Sequence, residues 1–78
     1  MGNKANSKIT ALQNEGYNFD EYEVVKNTIL LLNEKGEKSY IFGWYVTDDT
    51  LIKLVEKGFE CTKESDIFGK YTSIRWYE

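Results

Sequence analysis

Seventy-eight residues, 41% apolar and 29% charged, specify one globular domain and leave no room for a second. The formal net charge of −3 argues against a broad phosphate-binding surface, and a single cysteine with no histidine removes an internal disulfide and the usual zinc or copper ligands. No window approaches a membrane span, so the expectation is a cytoplasmic protein with no membrane partner, no metal and no cofactor.

Residues 1–6 lack apolar anchors and read as a flexible N-terminus, with residues 7–78 as a single α+β domain. Ser7 can cap a short helix reaching Glu15, with Ile9 and Leu12 as its apolar edge and a left-handed Gly16 as its stop. Residues 17–23 then alternate aromatic and polar side chains, a strand pattern that breaks near Asp20. Asp20, Glu21 and Glu23 form the densest acidic group. Their spacing lacks the central glycine and terminal glutamate of a calcium loop, so a solvated acidic loop is expected, with a cation or basic-partner contact as the alternative.

Residues 24–33, β-branched at Val24, Val25, Thr28 and Ile29 and followed by leucines, predict a strand. Glu34-Lys35-Gly36-Glu37 reads as a charged turn, and residues 38–46 as the second arm of an antiparallel hairpin. That arm holds the densest aromatic run, Tyr40-Ile41-Phe42-Gly43-Trp44-Tyr45. At a period of two, Tyr40, Phe42 and Trp44 share one face, and Ile41 and Tyr45 the other.

Thr47-Asp48-Asp49 announces a second helix, which carries the stripe Leu51, Leu54 and Val55 to Lys57 and stops at Gly58. A short strand over 59–62, a polar turn over 63–66 and a last strand over 70–77 complete the chain. The predicted fold is a mainly antiparallel sheet of four to five strands with two short helices on one face, in the order α-β-β-β-α-β-β. Residues 7–19 and 49–61 match without a gap, which fits either duplication or the shared grammar of a helix stopped by glycine and an aromatic.

The run Leu54-x-x-x-Gly58-Phe59-x-Cys61, a polar turn, then Tyr71-x-x-Ile74-x-Trp76 resembles the C-terminal half of many small uncharacterised phage and prophage proteins. Cys61 and Arg75 depart from that pattern, where a β-branched residue and serine are usual. The resemblance covers the last third of the chain and implies a phage or prophage source and a host-directed or regulatory role. It carries no catalytic residue.

Catalysis is not expected, because no histidine base stands beside a nucleophile and Cys61 reads as a small core hydrophobe. The stretch Lys38 to Tyr45 resembles the RNP1 strand of RNA-recognition motifs, but its two small positions are Ser39 and Ile41 and its basic surround is thin. Nucleic acid is thus the lesser expectation, with Arg75 and Tyr77 able to extend a stacking platform. If Tyr40, Phe42, Trp44, Ile74 and Trp76 lie beneath the helices, then Ile41, Tyr45, Arg75 and Tyr77 occupy an uncovered face of interface-like composition. The expected partner is a protein, either a host target or a second copy in a homodimer. A homodimeric component of a phage particle is a further alternative.

Overall fold

The computed structural model describes residues 7–16 and 20–77, in the order α1 (Ser7–Gln13), α2 (Glu21–Glu34), β1 (Ser39–Phe42), α3 (Asp48–Glu56), β2 (Glu60–Asp66) and β3 (Gly69–Arg75). The chain is α+β, but the described residues form three helices and a three-stranded sheet, so both the expected order and the expected four to five strands are overturned. The N-terminal stretch 1–6 and the aromatic positions Tyr17 and Phe19 lie outside the described residues.

The largest correction is α2, which replaces the strand expected over 24–33 and with it the hairpin to residues 38–46. Helical periodicity wins over β-propensity here. Tyr22, Val25 and Ile29 are buried and Leu32 packs against them, a stripe at helical spacing, while Val24 and Leu31 point outward. Asp20 starts the helix as its N-cap, in extended conformation, with Oδ1 accepting from the Tyr22 amide at 3.1 Å. Glu21 and Glu23 place negative charge at the positive helix end.

Two helices stop by the same device. Gly36 and Gly58 have φ of 90° and 98°, so the next amide turns back: Glu37 N–H reaches Leu32 O at 3.0 Å and Phe59 N–H reaches Leu54 O at 3.1 Å. This pairs carbonyls that a helix end leaves open. Gly16 has no positive φ, and a helix follows it where a strand follows Gly58, so the matched flanks diverge after their first helix.

The sheet is antiparallel in the order β1-β3-β2, with β3 central. Phe42, Thr72, Ile74 and Trp76 are buried on the side that meets the core residues of the helices. Trp76 donates from Nε1 to Asn33 Oδ1 at 3.3 Å and its ring lies 6.1 Å from that of Phe59. Tyr40 and Trp44, expected in the core, are exposed. The strand stops at Phe42 because Thr72 captures the departing chain: its hydroxyl donates to Trp44 O at 2.7 Å and accepts from Val46 N–H at 2.9 Å. Val46 then drops into the core.

Candidate protein interface

The pairing register decides which side chains share the face away from the core. Ser39 and Glu60 lie opposite Arg75, Ile41 and Thr62 lie opposite Ser73, and Glu64 lies opposite Tyr71. None of these is buried. The rows are mostly polar and already linked: Arg75 Nε sits 3.3 Å from Glu60 Oε1 as an ion pair, and Tyr71 donates to Glu64 Oε1 at 3.3 Å. Ile41, 58% exposed, is the large aliphatic residue among them.

At the far end of the β2–β3 hairpin the character changes. Ile67 and Phe68 form the turn and are 91% and 90% exposed. Asp66 Oδ1 accepts the Phe68 amide at 2.8 Å and fixes the turn, which Gly69 closes with a positive φ. Beside the turn, β3 runs on past the end of β1. The gap is a cleft of about 330 Å³ lined by Ile41, Gly43, Phe68, Gly69, Lys70 and Tyr71, with Asp66 at its rim. Gly43 keeps it open: a Cβ there would meet nothing within 4 Å. The polar turn expected over 63–66 is strand instead, and the turn falls on Ile67 and Phe68. The signal available was Asp66-x-x-Gly69, an aspartate and a glycine spaced as the two ends of a tight turn.

The four expected anchors do not form one patch. Ile41 and Arg75 share the outer face, and Tyr77, 58% exposed, follows the end of β3. Tyr45 is elsewhere, because the chain leaves the sheet at Gly43. Its ring lies between Lys63 and Lys70, with ammonium-to-centroid distances of 5.6 and 5.3 Å. Both lysines alternate with the outward row of their strands, so Tyr45 belongs to the core side of the hairpin.

The acidic group is absorbed by the fold instead of forming a solvated loop. Asp20 caps α2. Glu21 reaches across to α3, where Oε1 accepts from Thr47 N–H at 3.1 Å, Thr47 Oγ1 at 2.7 Å and Thr50 Oγ1 at 3.0 Å, and Oε2 accepts from Trp44 Nε1 at 2.8 Å. It pairs the open amide of Thr47, the N-cap residue, whose own side chain caps no amide of α3. Partial burial pushes the Glu21 carboxyl up, but the bonds from Thr47, Trp44 and Thr50 outweigh it and hold the group below its ordinary value. Glu23 is buried beside Lys26, 2.9 Å away, and Lys26 also donates to Gly16 O at 3.2 Å.

Cys61 packs against the core, and burial pushes its thiol up to about 11. Among the described residues no group of three or more histidine, cysteine or acidic side chains is gathered for a metal ion, and no helix is long and apolar enough to cross a membrane. No family model, curated protein or solved structure matches this chain.

Proposed function

We propose that this chain is a cytoplasmic binding protein, not an enzyme, and that it acts by stoichiometric attachment to another protein. The observation that carries this is the hairpin turn, where Ile67 and Phe68 are 91% and 90% exposed beside an open cleft walled by Ile41 and Tyr71. Burying two such side chains in a partner is worth roughly 3–6 kcal/mol before association costs. Ile41, Arg75 and Tyr77 extend the contact surface, and Tyr45 borders the hairpin from its other side. The sharper form of the proposal, inhibition or redirection of a host protein by a phage or prophage product, rests on the resemblance of residues 54–76 alone.

The test is capture by tagged protein from a nuclease-treated bacterial lysate, repeated with Phe68→Ala and with Gly43→Leu, which places a side chain at the cleft wall. One retained protein, lost with both variants, supports the reading. Capture abolished by nuclease moves nucleic-acid binding to first place. A mass that doubles with concentration and reverts with Phe68→Ala makes the partner a second copy.

A further inference from the structure

Resting on the reading that this chain binds protein, we infer that the free edge of β2 receives an extended, basic strand of the partner. The ladder shows which backbone groups are available. Trp76 N–H donates to Lys38 O at 2.9 Å, so even-numbered residues of β3 point their peptide groups at β1 and odd-numbered ones at β2. The partners of those odd residues are Glu60, Thr62, Glu64 and Asp66. Cys61, Lys63 and Ser65 therefore direct their N–H and C=O groups away from the sheet. No backbone group among the described residues pairs with them there. The edge spans seven residues, and all but Cys61 are exposed. The opposite edge offers only the outward groups of Ser39 and Ile41.

Charge selects the occupant. The outer row of the edge is Glu60, Thr62, Glu64 and Asp66, with Arg75 as the cation beside it on the neighbouring strand. On the inner row, Lys63 is held by Asp48 at 2.9 Å. A second copy is disfavoured. Antiparallel pairing of β2 with itself about a two-fold axis sets the outer row against its own copy, so Glu60 meets Asp66 or Glu64, or Glu64 meets itself. A phosphate backbone meets the same carboxylates. A strand with lysine or arginine at alternate positions gains both the open peptide groups and the acidic row, with main-chain bonds giving affinity and side chains giving choice.

The test is amide hydrogen exchange on the full chain, followed by NMR, with two seven-residue peptides at millimolar concentration: Lys-Thr-Lys-Val-Lys-Thr-Lys and its glutamate counterpart. The basic peptide should slow exchange at Cys61, Lys63 and Ser65 by about threefold or more, with the acidic one inert. Ser65→Pro, which removes one outward donor but no bond to β3, should weaken that protection without unfolding the chain. Thr62→Lys with Glu64→Lys, which spares the Glu60–Arg75 pair, should reverse the preference. Equal protection by both peptides, protection by neither, or protection centred on Ser39 and Ile41 would overturn the inference. In that event capture lost with Phe68→Ala would still uphold protein binding through the hairpin turn.

Discussion

Glu21→Ala should lower the melting temperature by an amount the structure sets. The substitution removes the Thr47 bonds at the start of α3, the Thr50 contact and the Trp44 bond together. A lost capping interaction costs about 1 kcal/mol, and a hydrogen bond to a charged acceptor about 1.5–3 kcal/mol. Glu21 is only partly buried, so water replaces some of this, and the total is about 2–3 kcal/mol. For a chain of this size that is a fall of roughly 8–24 °C by circular dichroism. The pH dependence has a fixed sign. The folded carboxyl lies below its ordinary value of 4.5, so its contribution is complete above that value and is lost as pH falls through the folded one. The gap between parent and variant should hold steady at neutral pH and narrow in acid. A gap under about 2 °C at neutral pH, or one unchanged in acid, would refute the cross-helix pairing.

Gly58→Ala should cost about 1–2 kcal/mol, because φ is 98° and the new Cβ would lie 3.2 Å from Lys8 Cγ. Gly43→Ala, with no positive φ and open space around it, should stay within about 0.5 kcal/mol, both variants being compared with the parent by denaturant titration. Cys61, with its thiol near 11, should react with a disulfide reagent at pH 8 roughly twenty-fold or more slowly than free cysteine. A rate equal to that of free cysteine would show that Cys61 opens to solvent.

What the sequence made legible was local and periodic. The acidic first turn of α3 and its stop at Gly58 are in the structure, as are the outward row of β3 and the burial of Leu54, Ile74 and Trp76, but Val55, expected in the stripe of α3, is 55% exposed. The error at residues 24–33 came from weighing β-branching above period. Tyr22, Val25, Ile29 and Leu32 carry the helical spacing, and Asp20-x-x-Glu23 is a helix-start signature, where a solvated acidic loop or a cation or basic-partner contact is the expectation from charge alone. Gly36, expected in a charged turn of a hairpin, has a positive φ at the end of a helix instead. The split of Tyr45 from Ile41 could not be read from parity, because parity holds only while the strand lasts. Thr72, twenty-six residues beyond Val46, ends it.

The hairpin turn is where the chain departs from local chemistry with no structural return. Among the described residues no non-glycine residue has a positive φ, so Ile67 and Phe68 sit at negative φ ahead of Gly69, the pattern of a type I turn closed by a left-handed glycine. Proline and asparagine suit those two positions better than isoleucine and phenylalanine, since proline presets φ and neither exposes a large apolar surface. Ile67→Pro with Phe68→Asn should therefore leave stability unchanged or raise it by about 0.5–1 kcal/mol, through a less disordered unfolded chain. The Phe68 amide keeps its bond to Asp66, and nothing in the core is touched. The same variant should lose partner capture. Equal stability with loss of capture would mean that the two side chains are kept for contact with another molecule. A variant that melts well below the parent would mean instead that Ile67 and Phe68 hold the hairpin together, and the protein-binding role would lose its main support.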